Sequence, residues 1–337
     1  LMLTALCTAI PARAGLLVTR SHAIETLSRA THFVFDKTGT LTTGRMRLLD
    51  VLPLGEIDRD QCLALAAAIE QTSEHPIAAA LRGACERSGR FDLGAVENEP
   101  GSGMSAVYNA RRYRVGRPEY VAALHGVPLP IAARSFAEGG DTVIALGDES
   151  GWLALFSLAD EIRAEAAGLV AALHKAGRHV VLLTGDALPA ARRVAQALAI
   201  ETVEAGMSPQ GKHDFVRRIQ AAGGVVAMVG DGVNDAPVLA QAQVSVAMGG
   251  GSQLARTQAD LILLSENLDH LRRGYFVARR SLRVIRQNLV WSFIYNFVAL
   301  PLAMIGLVTP WMAGIGMSGS SLLVVLNSLR LQASSER

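Results

Sequence analysis

The sequence has few of the residues that mark several large classes of protein. Its three cysteines, Cys7, Cys62 and Cys85, lie far apart with no CxxC spacing, so neither a disulfide framework nor a zinc site is expected, and a reducing, cytoplasm-facing environment fits. Aromatic residues make up 5% of the 337 residues, and the net charge is only +2. Because the basic residues do not alternate with aromatics, we expect no nucleic-acid partner.

Charged residues are also scarce, at 18%, although half of the residues are hydrophobic. Residues 288–308 and 311–329 contain no charged residue, and Thr309 and Pro310 separate them. Two uncharged segments of this length, joined by a short break, predict a transmembrane helical hairpin within 288–331. Two buried core helices are the weaker alternative, because so apolar a core would need a far larger soluble partner.

The residues before the hairpin predict a basic helix at 267–287. Its arginines are Arg272, Arg273, Arg279, Arg280, Arg283 and Arg286. Arg330 and Arg337 follow the second uncharged segment, so both ends of the hairpin are expected on the cytoplasmic side. At the other end of the sequence, LMLTALCTAI lacks a positively charged start and is too short to span a bilayer. This segment looks like the tail of something longer.

Three apolar runs, at 32–35, 178–183 and 224–229, are typical of parallel strands buried on both faces. Helical stretches at 188–199 and 211–222 lie between the later strands. The carboxyl ends of parallel strands meet at one edge of a sheet, so the segments that follow these runs are expected to converge. These segments are DKTGTLT at 36–42, TGD at 184–186 and GDGVNDAP at 230–237.

The segment between the first two strands is long enough to form a domain of its own. Helical patterns occur at 60–70 and 76–88, and a hairpin pattern at 104–116 turns near Asn109. A second hairpin turns at 148–151. We therefore predict a separate small α+β domain.

The septet that begins at Asp36 has the chemistry of a phosphorylated carboxylate. Asp36 follows a buried strand and is placed to attack a phosphoryl group, while Gly39 lets the next turn bring backbone N–H groups close to phosphate oxygens. Thr38 and Thr40 add hydroxyl groups. A strand that ends in an ordinary polar turn is the alternative interpretation, and a lone DKT would not exclude it.

The complete septet, together with GDGVNDAP, resembles the phosphorylation signature of the P-type ATPases, and the resemblance extends from about residue 12 to the end of the chain. It implies an α/β fold with a haloacid dehalogenase-like parallel-sheet phosphorylation domain at 31–45 and 153–266. The insertion at 46–152 would be the α+β nucleotide-binding domain, and residues 1–18 would be the end of a truncated membrane helix.

The resemblance also implies roles for residues at the three strand ends, with ATP and Mg²⁺ as cofactors. Lys212 would supply a fixed cation for the transferring phosphoryl group, although alone it would be an ordinary surface lysine. TGD alone is likewise a weak signal. The implied catalytic residues are Asp36, Lys37, Thr38, Thr184, Gly185, Asp186, Lys212 and Asn234. The implied magnesium ligands are Asp36, the backbone carbonyl of Thr38, Asp231 and Asp235.

Within the insertion, the motif SEHPIA at 73–78 is similar to that of the heavy-metal transporters of this family. The resemblance implies that Glu70, His75, Gly101 and Gly103 form the adenine-nucleotide pocket. A histidine before a proline is more often a helix-start residue, which is the alternative for His75.

Polar groups within the hairpin indicate which ion is transported, because such groups are costly in a membrane and tend to be functional. Tyr295 and Asn296 lie in mid-span, and Met317, Ser320 and Ser321 share one helical face. A thioether is a soft ligand that selects copper(I), and the pattern resembles the copper(I)-exporting subgroup. Zinc or cadmium is the alternative ion, and close helix packing is the structural alternative for the small residues around Met317.

Two expected motifs are absent: the TGE loop, whose glutamate activates the hydrolytic water, and the CPC pair of a preceding membrane helix. We therefore expect the chain to be the C-terminal half of a heavy-metal pump, with the N-terminal part, copper(I) or another soft metal ion and the lipid bilayer as partners. Its expected location is the bacterial inner membrane, with the catalytic domains in the cytoplasm.

Two further functions remain open. A membrane-anchored phosphohydrolase of the haloacid dehalogenase superfamily would use a second aspartate two positions after the nucleophile, where this chain has Thr38. Threonine there favours a long-lived phosphoenzyme. The second of these functions is that of a nonenzymatic fragment that binds nucleotide.

Overall fold

The computed structural model describes residues 15–20, 22–85, 91–137, 140–231, 236–251, 253–307 and 309–331. The chain divides into two compact units. The parallel-sheet unit contains the residues up to Thr40, Ala164–Thr184 and the residues from Ala197 onward. The inserted unit contains Leu41–Arg163 and Gly185–Gln196.

The elements are numbered here in chain order. The strands are β1 Leu16–Val18, β2 His32–Phe35, β3 Thr42–Pro53, β4 Gly94–Glu99, β5 Gly103–Tyr108, β6 Arg111–Gly116, β7 Thr142–Asp148, β8 Gly151–Ile162, β9 His179–Leu183, β10 Thr202–Glu204, β11 Val226–Gly230, β12 Val244–Ala247 and β13 Leu261–Leu263. The helices are α1 Ala23–Arg29, α2 Arg59–Ile69, α3 Pro76–Ala84, α4 Pro118–His125, α5 Ile131–Ala137, α6 Ala166–Lys175, α7 Leu188–Leu198, α8 Pro209–Ala221, α9 Ala236–Gln241, α10 Gln253–Gln258, α11 Asp269–Met304 and α12 Pro310–Leu329.

The parallel-sheet unit is built on seven strands in the order β1-β13-β12-β11-β2-β9-β10. All neighbours are parallel except β1, which pairs antiparallel with β13. Phe33, Val34 and Phe35 of β2 are completely buried, and β11 is buried throughout, as expected for central strands covered on both faces. Because β11, β2 and β9 are adjacent and parallel, their carboxyl ends lie at the same edge.

The inserted unit is built on a six-stranded antiparallel sheet in the order β3-β8-β7-β6-β5-β4. Helices α2 and α3 pack on this sheet, and their buried side chains Ile69 and Leu81 share a core with Phe156 of β8. Asn109 and Ala110 form the turn between β5 and β6 with positive φ values of 50° and 63°. The predicted fold class, a parallel-sheet domain with an inserted α+β unit, is confirmed.

The inserted unit is larger than the predicted segment 46–152. Strand β3 begins at Thr42 and its partner β8 continues to Ile162, so hydrogen bonds of the sheet extend beyond both predicted boundaries. The unit also includes Gly185–Gln196, where Arg193 forms an ion pair with Asp141.

Near the start of the described residues, the prediction of a membrane helix is wrong for Leu16–Val18. These residues form β1, and Leu16 is completely buried. Pairing with β13 satisfies the backbone groups, and burial of Leu16 in the unit accounts for its apolar character. Residues 1–14 lie outside the described residues.

At the C-terminal end, the predicted basic helix and most of the first predicted span form one continuous helix, α11. The sequence around 287 contains no glycine or proline that would break it. The uncharged part of α11, Asn288–Met304, is shorter than the roughly 20 residues that span a bilayer. Helix α12 packs on α11, and its segment Trp311–Leu329, with a mean hydropathy of 1.4, is the one stretch of the described residues that length and composition mark as able to cross a membrane.

Candidate active site

Asp36 lies at the carboxyl end of β2, where the sheet holds it by its backbone. Its N–H donates a hydrogen bond of 3.0 Å to the carbonyl of Val229 in β11, and the residue is 7% exposed. The chain then turns tightly over Lys37–Leu41, with Gly39 at φ +70°. A Cβ atom at Gly39 would lie 2.6 Å from Oδ2 of Asp231, so a side chain there would displace that carboxylate, and the positive φ also favours glycine. The turn is therefore flanked by two carboxylates that are almost 200 residues apart in sequence.

Lys212 reaches Asp36 from the first turns of α8. Ser208 caps this helix by accepting a hydrogen bond from the N–H of Gly211, and the N–H of Met207 donates to the carbonyl of Thr184 at 3.0 Å. These bonds hold the start of α8 beside the end of β9. Nζ of Lys212 lies 2.6 Å from Oδ1 of Asp36, and both side chains are buried. Removing either member of such a pair leaves a buried charge, which costs about 3–5 kcal/mol.

The described part of the site fits a magnesium ion. Asp36 and Asp231 offer hard carboxylate oxygens on either side of the Gly39 turn, which is the ligand type that Mg²⁺ prefers. Among the described residues, no cluster of three or more His, Cys, Asp or Glu side chains could hold a metal, and two of the predicted residues, Asn234 and Asp235, lie outside them. Thr38 is exposed with extended backbone angles, and Lys37 is half-buried.

The boundary between the two units separates the predicted TGD triplet. Thr184 belongs to the parallel-sheet unit and is 2% exposed, with its N–H bonded to the carbonyl of Glu204 at 2.9 Å. Gly185 and Asp186 belong to the inserted unit; Gly185 is exposed and Asp186 is half-buried. The parallel-sheet unit thus brings together Asp36, Lys212 and Asp231, with Thr184 at the end of the neighbouring strand.

The loop after β12 also lies at this edge of the parallel sheet, and the sequence did not lead us to predict it. The N–H of Met248 donates to the carbonyl of Gly230, and a Cβ atom at Gly251 would lie 2.4 Å from the backbone oxygen of Asp231. The loop after β12 therefore packs closely on the backbone of Asp231. The run Gly249–Gly251 was the available signal, because consecutive glycines often mark a close approach of two backbones.

In the inserted unit, the predicted nucleotide residues Glu70 and His75 lie in the connection between α2 and α3. Glu70 is 6% exposed, and burial raises its pKa, although a hydrogen bond from Ser73 and nearby basic side chains oppose this shift. Nη1 of Arg82 donates to the carbonyls of Glu70 and Ser73 at 2.5 and 2.9 Å. His75 is exposed and caps α3, since its Nδ1 accepts the N–H of Ile77 at 3.2 Å. His75 therefore acts as a helix-start residue, as the alternative interpretation of the sequence expected.

The two predicted pocket glycines differ in their surroundings. Gly103 has φ +154°, and a Cβ atom there would lie 2.2 Å from the carbonyl oxygen of Val115, so close packing of β5 on β6 already requires glycine. Gly101 has φ +78° with no atom within 4 Å of its virtual Cβ. Of the two, Gly101 has open space beside it for a ligand.

The predicted ion ligands in the hairpin do not form one cluster. Tyr295 packs on α12, where a Cβ atom at Gly316 would lie 2.8 Å from its hydroxyl oxygen. Ser320 accepts a hydrogen bond of 3.2 Å from Nε1 of Trp291. Asn296 bonds within its own helix, and Met317 is 65% exposed. Ser321 is also exposed. Tyr295 and Ser320 thus face the helix interface, whereas the other three do not.

A polar cluster between α11 and α12 was not predicted. Nδ2 of Asn288 donates to Oγ of Ser328 at 3.0 Å, and Nδ2 of Asn327 donates to Oδ1 of Asn288 at 2.8 Å. Asn288 and Ser328 are both buried. The signal was an asparagine at the start of one uncharged segment and an Asn-Ser pair at the end of the other. Buried interhelical hydrogen bonds of this kind fix the register of two packed helices.

Comparison with known proteins gives a consistent result. Residues 30–243 match the family of haloacid dehalogenase-like hydrolases. The chain is 41% identical over 326 residues to the "Probable copper-exporting P-type ATPase V" of Mycobacterium tuberculosis, a match that covers 95% of this chain and 42% of the relative. It is also 41% identical over 337 residues to the "Probable copper-transporting ATPase SynA" of Synechococcus elongatus, with 96% and 42% covered. The chain thus spans less than half the length of these curated relatives.

Solved structures agree. A zinc-transporting PIB-type ATPase in its E2.Pi state superposes with a TM-score of 0.87 at 32% identity, covering 97% of this chain and 54% of that one. The catalytic domain of the CPx-ATPase CopB-B superposes with a TM-score of 0.60 at 26% identity, covering 78% of this chain and 96% of the domain. The predicted resemblance to heavy-metal P-type ATPases is confirmed.

Proposed function

We propose that this chain, which belongs to the haloacid dehalogenase-like hydrolase family, carries the phosphorylation, nucleotide-binding and last membrane segments of an ATP-driven heavy-metal pump with copper(I) as its cargo. The observation that carries this proposal is the buried contact between Asp36 and Lys212 at 2.6 Å, beside a glycine turn that packs on Asp231. A nucleophilic carboxylate, a fixed cation and a second carboxylate at one sheet edge suit phosphoryl transfer.

In the proposed reaction, an Asp36 carboxylate oxygen attacks the γ-phosphorus of ATP. The new O–P bond forms as the bond to the β–γ bridging oxygen breaks, and its electron pair leaves with ADP. Lys212 stabilises the negative charge that spreads over the equatorial oxygens in the transition state, and the buried setting strengthens this interaction. We expect backbone N–H groups of the Gly39 turn to donate hydrogen bonds to the same oxygens.

Magnesium, held by Asp36 and Asp231, would neutralise phosphate charge when bound. Asp235 and the carbonyl of Thr38 are the further proposed ligands. Because the position two residues after the nucleophile is Thr38, no carboxylate is available there to activate a hydrolytic water. The aspartyl phosphate is therefore expected to persist, as a pump requires in order to couple phosphorylation to a conformational change.

We propose that ATP binds to the inserted unit near Glu70, His75 and Gly101. Glu70 is held in place by its burial, and the turn after it by the two hydrogen bonds from Arg82, so this segment is preorganised before nucleotide arrives.

The test is transfer of label from γ-phosphate-labelled ATP to the full chain in the presence of Mg²⁺. We expect an acid-stable, hydroxylamine-sensitive label that Asp36→Asn abolishes and that Asp60→Asn, an exposed control, retains. Absence of label in a folded protein would favour a nonenzymatic fragment. A label that turns over rapidly in this chain alone would favour the membrane-anchored phosphohydrolase.

A zinc pump is the second candidate, because the zinc-transporting PIB-type ATPase superposes with a TM-score of 0.87. Copper(I) is favoured by Met317, whose thioether is a soft ligand, and by the absence of carboxylates in the uncharged segments. The two candidates are separated by measuring how strongly copper(I) and zinc compete for binding to the chain in nanodiscs. The same competition is measured for Met317→Leu. A zinc preference that Met317→Leu leaves unchanged would favour the zinc pump.

The relatives are copper-exporting or copper-transporting ATPases by name, and α12 is apolar enough to span a bilayer. We propose a bacterial inner-membrane location with both units in the cytoplasm, because the arginines that precede the hairpin favour that side. Protease access in inside-out and right-side-out vesicles tests this orientation.

A further inference from the structure

Residues 248–251 form a tight turn at the carboxyl end of β12, which we call the triple-glycine turn. Strand β12 is paired with β11 on one side and with β13 on the other, and both run parallel to it. The N–H of Met248 donates to the carbonyl of Gly230 at 3.1 Å, which extends the pairing with β11 by one residue. The N–H of Gly251 then donates to the carbonyl of Met248 at 3.0 Å and closes the turn. The turn is thus tied to the strand that ends directly before Asp231.

The three glycines of the turn face different neighbours. A Cβ atom at Gly249 would lie 2.5 Å from the carbonyl oxygen of Leu263, the last residue of β13. At Gly250 the nearest atom would be Oε1 of Glu266, the far end of an exposed side chain. At Gly251 it would be the backbone oxygen of Asp231, at 2.4 Å. Only the third glycine therefore lies directly against Asp231.

Space, rather than backbone conformation, requires glycine at this third position. None of the three glycines has a positive φ, so their backbone angles are open to other residues. Gly251→Ala would therefore act only through its methyl group. A backbone oxygen directly after a buried strand cannot turn aside as the end of a side chain can, so the turn and Asp231 would have to move apart.

Asp231 is confined from a second side by the turn after β2. A Cβ atom at Gly39 would lie 2.6 Å from its Oδ2 atom, so the carboxylate faces Gly39 while the backbone oxygen faces Gly251. Residues that hold a metal ligand in place matter nearly as much as the ligand itself, and changing one typically costs about 10- to 100-fold in metal affinity. Gly251 occupies the place of such a supporting residue.

We propose that Gly251 is a positioning residue for the divalent-cation site. By letting the triple-glycine turn approach the backbone of Asp231, it holds the carboxylate of that residue where it can share one Mg²⁺ with Asp36. This inference rests on the proposed role of the two carboxylates as magnesium ligands. Gly249 has a different part, because it fits the turn against β13 and not against Asp231.

The experiment measures Mn²⁺ binding to the full chain by electron paramagnetic resonance, without ATP. Gly251→Ala is expected to weaken binding roughly 10- to 100-fold. Gly250→Ala is the matched control, since it adds the same methyl group one residue earlier, against the movable end of Glu266, and it should keep the wild-type affinity. Because no phosphoryl transfer is measured, the result does not depend on ATPase activity.

Displacement of Mn²⁺ by Mg²⁺ and by Ca²⁺ distinguishes a moved ligand from a loosened fold. Mg²⁺ demands near-ideal octahedral geometry, whereas Ca²⁺ accepts flexible ligand arrangements. Gly251→Ala should therefore lose more affinity for Mg²⁺ than for Ca²⁺. Gly249→Ala, whose methyl group meets β13, should lower the thermal unfolding temperature but should weaken Mn²⁺ binding less than Gly251→Ala does.

Four results would overturn the proposal. A folded Gly251→Ala protein with wild-type Mn²⁺ affinity would show that the turn does not position Asp231. Weakening by Gly249→Ala as large as that by Gly251→Ala would indicate a general loosening of the sheet edge, and so would an equal loss of Mg²⁺ and Ca²⁺ affinity. A Gly251→Ala protein that fails to fold would give this glycine a structural role.

Failure of the proposed function would look different. A wild-type chain that binds Mn²⁺, with the expected loss in Gly251→Ala, but that accepts no label from ATP would overturn the proposed phosphorylation and support this inference. A wild-type chain that binds no Mn²⁺ would overturn both this inference and the proposed magnesium site.

Discussion

The two candidate sites of this chain are assembled in opposite ways. At the edge of the parallel sheet, the carboxylate of Asp36 contacts Lys212, which is 176 positions away, and the turn after it packs on Asp231. In the inserted unit, Glu70, Ser73, His75 and Arg82 interact within one helix connection. A site made from distant strands depends on the whole sheet, whereas a local site depends on one turn and its helix cap.

The largest effect is expected from breaking the long-range contact. Lys212→Met should lower the rate of aspartyl-phosphate formation by about 100- to 1,000-fold, because a preorganised charge acts on the transition state. It should also lower the free energy of unfolding by about 3–5 kcal/mol, since the buried carboxylate of Asp36 loses the lysine that compensates its charge. Labelling by ATP and denaturant titration measure the two effects.

Lys175→Met, an exposed lysine at the end of α6, is the matched control and should change neither quantity. Added Mg²⁺ should recover part of the stability of Lys212→Met by supplying a cation between the two carboxylates. A Lys212→Met protein as stable and as active as the wild type would mean that the contact has no role.

The second prediction distinguishes a structural from a ligand-binding glycine. Gly103→Ala should destabilise the inserted unit by at least about 3 kcal/mol, because its φ of +154° is accessible mainly to glycine and the new methyl group would meet a carbonyl oxygen at 2.2 Å. Gly101→Ala should cost less, about 1–2 kcal/mol, and act mainly on ATP affinity. Thermal unfolding measures the loss of stability, and nucleotide titration measures the loss of ATP affinity. A larger loss of ATP affinity in Gly103→Ala than in Gly101→Ala would assign the ligand-binding role to Gly103.

The third prediction tests the local site. Arg82→Gln removes two hydrogen bonds from a charged donor to the carbonyls of Glu70 and Ser73, and should cost about 2–3 kcal/mol. Because the turn around His75 then becomes mobile, KM for ATP should rise while the rate at saturating ATP changes little. Arg112→Gln, an exposed arginine of β6, serves as the control. A fall in the saturated rate at constant KM would argue against a nucleotide-positioning role.

The smallest effect concerns pH. Burial raises the pKa of Glu70 above its ordinary value of 4.5, so the folded protein binds this proton more tightly than the unfolded chain does. The resulting stability is fully present below about pH 4.5 and is lost as the pH rises through the raised pKa. The difference in unfolding free energy between wild type and Glu70→Gln should follow that profile; a difference independent of pH would mean that the folded-state pKa is not raised.

Much of the fold could be predicted because its signals are local. The buried runs around Phe33 and Val229 predicted parallel strands. A break in the alternation of apolar and polar residues near Asn109 predicted the turn of a hairpin. The predicted boundary at residue 287, between a basic helix and a membrane span, is not a break in the structure, because one helix runs through it. A change from basic to apolar residues alters the surroundings of a helix but does not end it. Leu16–Val18 were misassigned for a related reason, because an apolar segment can be buried by a sheet as well as by a membrane.

By itself, the sequence predicted which groups react and determined the strands that carry them, because residue type and strand pattern are properties of short segments. The tertiary structure decided which groups meet: it placed Lys212 on Asp36, packed the turn at Gly39 on Asp231, and left Met317 exposed while Tyr295 faces α12. The physical reason is that distances between residues far apart in the chain follow from sheet order and helix packing, which no single segment encodes.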